Sequence, residues 1–316
     1  IILLGLFGLY CSLVIGSSWD EPFTNNNALA KINFIKSFGK NLDYLKYNDF
    51  HNPGFYEVIL AFISNQFSKL LVYEIRHIIN LILSFLTLVG VFLVTKICFD
   101  KKISLLVVLF CLVNPFFFGM MSITIRDMPI CFAYVWSLYF CIQYVKNFSN
   151  NKNKFTIYLG LIIGFGLGSR LGFVVNLLPL LVGLIYFLFI YYNKNKENFF
   201  YSKILKDIII VFFLSSLVMF SFWVNAYENP IEILINTFQQ TVQLTKGPET
   251  FIINEKIYDV TDTPKDYFLL FFLYRFPLFL ICLTILFFIF LFKKKNFFYE
   301  KYKFFKIKII FNLFII

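Results

Sequence analysis

Seven residues in this 316-residue chain carry charge or basicity at positions suited to chemistry: Asp20, Glu21, His51, Arg126, Asp127, Arg170 and Arg275. The pair Asp20-Glu21 lies in Ser17-Ser18-Trp19-Asp20-Glu21-Pro22, directly after an apolar run. A carboxylate there can take a proton from an acceptor hydroxyl or amine. The same letters also suit Asp20 as a helix N-cap with Pro22 in the first turn. Arg126-Asp127 can hold a phosphate or a metal; alternatively Asp127 caps a helix that carries Pro129 in its first turn, and Arg126 anchors a lipid headgroup. Arg170 closes an apolar run of about 14 residues, roughly 21 Å as a helix. That is short for a hydrocarbon core of ~30 Å, so the guanidinium should lie beneath the surface, paired with a lipid phosphate or with a carboxylate. Arg275 sits some eight residues into a later apolar run, beside Pro277, and either faces the interior or snorkels outward. His51, in Phe50-His51-Asn52-Pro53, is one of two histidines, and a lone loop His is more often structural than catalytic.

The elements that must position these groups are membrane helices. Hydrophobic residues make up 59% of the chain and charged ones 15%, a balance that a soluble domain of this length cannot bury. The apolar residues come in blocks long enough to cross a bilayer, and only helices satisfy their own backbone segment by segment in lipid. The alternating ten-residue strands of a barrel are absent. Segments near 1–16, 75–98, 103–122, 127–145, 156–169, 171–192, 204–224 and 267–292, with another starting near 307, predict an all-α polytopic bundle of about eight or nine spans. Two long polar stretches, 17–74 and 225–266, interrupt it. Within the first, 55–71 (FYEVILAFISNQFSKLL) reads as a helix lying in the interface, and 27–39 as a weaker one. The whole of 1–316 reads as one transmembrane domain. It opens on Ile1 and stops at Ile316, each inside an apolar run, which is the pattern expected of a piece of a longer protein.

Charge orients the bundle. Alternating sides from the first helix puts 96–102, 146–155, 193–207 and 293–308 on one face, with 17 Lys/Arg against four acids; the other face receives 12 against 14. By the positive-inside rule the first face is cytoplasmic, and both long loops lie outside. The net charge of +11 is therefore a membrane-orienting feature and not a nucleic-acid footprint. In this topology the sequon at Asn147 is cytoplasmic and has no glycan to carry. Asp259, Asp262 and Asp266 read as solvated surface. The six cysteines, Cys11, Cys98, Cys111, Cys131, Cys141 and Cys282, lie in or beside apolar blocks without paired spacing, as small buried hydrophobes do. No phosphate-binding loop, dinucleotide fingerprint or zinc motif is present.

Taken in order, these pieces resemble the GT-C class of polyprenol-phosphate-sugar-dependent glycosyltransferases, in particular the protein O-mannosyltransferase and lipid A aminoarabinose transferase superfamily. Trp19-Asp20-Glu21 is similar to the Asp-Glu motif of that family's first external loop. His51-Asn52-Pro53-Gly54-Phe55-Tyr56 resembles its His-Pro-Pro-Leu-Tyr stretch, with Asn52 departing from the usual Pro. Glu74-Ile75-Arg76 resembles the entry to the second helix. Asn114-Pro115 through Arg126-Asp127-Met128-Pro129 resembles the second external loop, and Gly164 through Arg170-Leu171-Gly172 a Gly-rich helix ending in a basic residue. Trp223 to Pro230, Thr263 to Tyr267, and Arg275-Phe276-Pro277 resemble the flanks of the later loop. The likeness covers roughly 17–292 and rests on the order of its motifs.

The resemblance implies a lipid-linked sugar phosphate whose headgroup enters an external cavity of the inner membrane, with Asp20 as base on the acceptor and inversion at the anomeric carbon. Arg170 and Arg275, with Arg126, would hold the leaving phosphate, where offsetting charge helps most. Glu21 and Asp127 would orient groups or hold a divalent cation, and His51 would line the donor site. Two other readings compete: a transporter or lipid flippase, and an assembly subunit without activity. Transporters tend to carry midplane charges and inverted repeats, and neither is visible here. A subunit leaves the external charges without a role.

Overall fold

The computed structural model describes residues 2–148, 154–194, 201–243, 250–253 and 256–259, then 264, 266–267, 269–270, 273 and 277–293. Its elements in chain order are α1 (Ile2–Val14), α2 (Glu21–Lys36), α3 (Phe55–Ser64), α4 (Val72–Cys98), α5 (Lys101–Val113), α6 (Pro115–Met120), α7 (Asp127–Lys146), α8 (Lys154–Ser169), α9 (Phe173–Lys194), α10 (Tyr201–Phe220), α11 (Pro230–Gln243), β1 (Thr250–Ile253), β2 (Lys256–Asp259) and α12 (Leu278–Lys293). The strands form one small antiparallel hairpin, with Thr250 opposite Asp259. Among the described residues everything else that is regular is helical.

The bundle is apolar outside and partly polar inside. Ile208, Ile209, Phe212, Phe213 and Leu217 of α10 lie exposed, as do Val174, Leu178, Leu181, Ile185 and Phe189 of α9. Meanwhile Ser12, Asn80, Ser84, Thr87, Ser104 and Ser137 are buried. Water would not tolerate that outer surface, and lipid does. Small polar side chains inside give the helices hydrogen bonds across their contacts: Asn80 donates to Met121 O at 3.1 Å, and Ser84 to the same oxygen at 2.7 Å. This is an all-helical membrane protein.

The stretches Lys69–Cys98, Asp127–Lys146 and Phe173–Asn193 are long and apolar enough to cross a bilayer. Among the described residues the expected eight or nine full-length spans are not reached, and local chemistry says why. The segment expected at 103–122 breaks at Asn114-Pro115: Pro lacks the N–H that α5 would need, so a new helix begins there. Asn114 caps it, accepting from Phe116 N and Phe117 N at 3.0 and 3.4 Å. In the last segment, expected from 267, the helix Leu278–Lys293 follows Pro277. Ile2–Val14 and Lys154–Ser169 are apolar but shorter.

The first long polar stretch holds more helix than expected. Its first helix begins at Glu21 rather than 27, and α3 ends at Ser64, followed by a 3-10 turn at Lys69–Leu71. The second stretch contains α11 and the hairpin, which hydropathy alone presented as loop.

Glycines set the closest approach. A Cβ on Gly164 would sit 2.8 Å from Ser215 O of α10, and one on Gly166 2.5 Å from the Phe173 ring. Helix α8 thus wedges between α7, α9 and α10. Its far end brings Ser169 and Arg170 beside the start of α7. Chain segments around 20, 49–57, 126, 170, 223 and 237 therefore gather at one end of the bundle: Trp223 Nε1 donates to Phe50 O at 2.9 Å, and His51 Nδ1 lies 2.8 Å from Thr237 Oγ1. The opposite end collects Tyr144, Phe148, Thr156, Lys203 and Asp207.

Candidate functional site

The two neighbouring acids of the first long polar stretch part company. Asp20 is the N-cap of α2 by position, yet its side chain makes no capping bond. It is half-buried and accepts from Ser18 Oγ at 3.0 Å. Glu21 turns inward, fully buried, where His77 Nε2 meets both its oxygens at 3.1 and 3.0 Å and Ser18 N donates at 2.7 Å. The other ring nitrogen of His77 lies 3.3 Å from Ser12 O. One turn on, the buried Arg76 donates to Asn25 Oδ1 at 3.0 Å and Thr24 Oγ1 at 3.4 Å. Helix α2 is thus bolted to α4 through Glu21, Thr24 and Asn25, and that bolt fixes where Asp20 stands.

From the same helix Asn27 and Lys31, four residues apart and so on one face, reach the segment 49–57. Asn27 donates to Asp49 Oδ2 at 2.8 Å. The buried Lys31 ammonium donates to Asn52 O at 3.0 Å and more loosely to Pro53 O at 3.5 Å. This segment turns through Gly54 at φ +73°, a left-handed conformation that glycine adopts without a Cβ clash. Helix α3 then presents Glu57, whose side chain is only 4% exposed. Arg126, at the N-cap of α7, donates its Nε to Glu57 Oε1 at 2.8 Å, and its Nη2 lies 4.0 Å from Asp49. Asn52 Nδ2 also donates to Glu57, at 3.2 Å.

The electrostatics follow from this packing. Burial alone would lower the Arg126 guanidinium; Glu57, with Asp49 and Asp20 adding to it, outweighs burial and holds it above the ordinary arginine value. For Lys31 the balance goes the other way. Burial pushes its ammonium below the usual lysine range, against the pull of Glu57 and Asp49 and with the push of Arg126. Two cations and three carboxylates, Asp20, Asp49 and Glu57, thus share one end of the bundle. The Arg126 side chain remains 36% exposed, which leaves an edge of its guanidinium open to an anion.

Asp127 and Arg170 stand next to this cluster as an exposed ion pair at 3.1 Å, with side chains 67% and 59% accessible. Asp127 is the first residue of α7, one position past the N-cap Arg126, so it does not cap that helix as its local sequence suggested. His51 packs against α11 through Thr237. Arg275 lies outside the described residues. Among the described residues, no three His, Cys, Asp or Glu side chains converge as metal ligands. A cavity bounded by Asn229, Pro230, Ile231, Glu232, Ile235 and Asn236 opens at the start of α11. It contains none of the residues above, and its lining has two asparagines and one acid but no cation.

Asp20, Glu21, His51, Arg126, Asp127 and Arg170, legible as candidates in the sequence, stand at this end, and Lys31, Asp49 and Glu57, which the sequence does not single out, join them. A signal was present for two of the last three. Glu57 stands alone in an apolar helix, and Lys31 stands between Ala30 and Ile32; charges so placed are rarely buried without partners. Asp49 carries no such mark.

Fold and site together define a helical membrane protein with a cluster of opposed charges at one end of its bundle. Residues 58–223, more than half of the chain, match the family described as dolichyl-phosphate-mannose-protein mannosyltransferase, and the chain belongs to that family. The family falls in the GT-C class and implies a membrane glycosyltransferase with a polyprenol-phosphate-sugar donor. The matched stretch holds Arg126, Asp127 and Arg170, while Asp20, Glu21 and His51 precede it. No curated protein matches the chain, and no solved structure does.

Proposed function

We propose that this protein moves a sugar from a polyprenyl-phosphate donor to an acceptor of the cell envelope, a lipid, glycan or protein, on the non-cytoplasmic face. Asp20 takes the proton of the acceptor hydroxyl or amine. The acceptor's heteroatom bonds to the anomeric carbon from the side opposite the phosphate, the bond from that carbon to the phosphate oxygen breaks, and configuration inverts. Polyprenyl phosphate leaves with one more negative charge than it carried as a diester, and Arg126 receives that charge with Arg170 and Arg275 in support. His51 lines the donor side, Asp127 orients Arg170, and Glu21 acts by setting the pose of Asp20. A bacterial inner-membrane setting and about eight or nine crossings, some made by short or broken helices, belong to the same reading.

The observation that carries it is Arg126: a guanidinium fixed by a buried carboxylate, with an open edge and with Asp20 near enough to feel its charge. A preset cation of this kind stabilises a leaving phosphate without reorganising. Charges in the described helices also lie within two turns of a helix end, a placement that suits a surface reaction better than midplane transport.

The test uses full-length protein in lipid nanodiscs, radiolabelled sugars on polyprenyl phosphates, mannose among them, and cell-envelope acceptors. Transfer is expected from at least one donor, and Asp20→Asn should lower turnover by about 10²–10⁴-fold with donor affinity kept. Full turnover in that variant removes Asp20 as base. Absence of both donor binding and transfer across the series overturns the function.

A further inference from the structure

We infer that Lys31 is a positioning residue of this site, its ammonium filling a nest of carbonyl oxygens and holding the turn that sets Glu57 and, through it, Arg126. The carbonyls of Asn52 and Pro53 turn toward one point, and the Lys31 Nζ is there, at 3.0 and 3.5 Å. Asp49 and Glu57 supply the negative charge around it. Carbonyl and carboxylate oxygens are the donor set of hard cations; here the chain supplies the positive charge itself.

The fit is tight. A Cβ on Gly54 would lie 2.9 Å from Nζ and 3.7 Å from Glu57 Oε2, so the ammonium and the carboxylate flank the same α-carbon. Glycine at 54 is required twice, by its φ of +73° and by the space that Lys31 fills. The side chain itself is buried, so its role is not to meet substrate. It is a positioning residue: it holds the 52–54 turn, that turn sets Asn52 and Glu57, and both of these bond to each other while Glu57 orients Arg126.

The experiment has two arms, the first of which rests on the transferase reading. Lys31→Ala should lose at least tenfold in kcat/KM, and millimolar propylammonium should restore it saturably, since a small alkylammonium ion can reoccupy the vacated nest. Lys31→Ala with undiminished turnover overturns the inference. The second arm needs no activity. Propylammonium should raise the thermal midpoint of Lys31→Ala by several degrees while leaving wild type and the double variant Lys31→Ala/Gly54→Ala unmoved, because Lys31 fills the nest in the first and an added Cβ narrows it in the second. No selective stabilisation of Lys31→Ala overturns the inference, whatever the assay shows. Selective stabilisation with no sugar transfer by the wild type upholds the nest and counts against the transferase alone.

Discussion

Glu57 and Arg126 form a pair of unequal members. The carboxylate is 4% exposed and the guanidinium 36%, so each loses a different amount when its partner goes. Glu57→Ala strands Arg126 and removes the nearest carboxylate from buried Lys31, whereas Arg126→Met leaves Glu57 still bonded to Asn52 and close to Lys31. Removing one partner of a buried pair costs about 3–5 kcal/mol. Glu57→Ala should approach that range in thermal or denaturant unfolding, and Arg126→Met should fall well short of it while weakening donor binding. Equal destabilisation by the two would contradict the asymmetric burial. Lys31 adds a pH dependence whose sign is determined. Its native value lies below the ordinary 10.5 because burial disfavours the ammonium, so between the two values the unfolded chain binds the proton more fully than the native one. The cost of the buried charge is present in full below the native value and is relieved as pH climbs toward 10.5, so this group makes stability rise with pH in that window. Lys31→Met should flatten that rise in melts run across the alkaline range; an unchanged slope would assign the titration elsewhere.

At the scale of elements, α8 decides how near the two charged halves of the site come. It ends at Ser169, and Arg170 follows beside Asp127 because α8 presses against α7 and α10 with almost no side chain between them. At Gly164 an added Cβ would meet Ser215 O and the Val218 Cβ, both at 2.8 Å, and at Gly172 it would meet nothing within 4 Å. Gly164→Ala is therefore expected to destabilise by about 1–3 kcal/mol, the ordinary cost of overpacking, with Gly172→Ala near neutral. Thermal unfolding in detergent reads both, and similar midpoints for the pair would show that α8 and α10 do not touch as described. Element boundaries were legible where hydropathy and punctuation agreed, as for Val72–Cys98 and Asp127–Lys146. The break at Asn114-Pro115 has its own local signal, a cap residue followed by Pro, but the apolar run on both sides masked it. Helix α11 escaped notice because its apolar residues Ile231, Ile235 and Phe238 are spaced for a helix yet diluted by Asn, Gln and Thr.

At the scale of the molecule, the two ends of the bundle differ in kind. One gathers Asp20, Lys31, Asp49, Glu57, Arg126, Asp127 and Arg170, and the other is lysine-rich. The positive-inside rule assigns the lysine-rich end to the cytoplasm. In a cysteine-free background, Lys40→Cys should react with a membrane-impermeant maleimide from outside intact cells, and Lys102→Cys only after permeabilisation. Reaction of both from the same side would overturn the orientation and, with it, the external site.

The chain's composition and hydropathy determined by themselves that this is a helical membrane protein, since apolar blocks of span length have one stable form in lipid. The order of short motifs was enough to reach the family. Which charges meet was decided only by tertiary structure. Arg126 and Glu57 are 69 residues apart, and Glu21 and His77 56 apart, so no local periodicity links them. Asp20 and Glu21 read as twins in sequence, yet one helical step of rotation about α2 sends Glu21 into the core and leaves Asp20 at the open end. That separation depends on where α4 places His77 and Arg76, which a linear pattern does not contain.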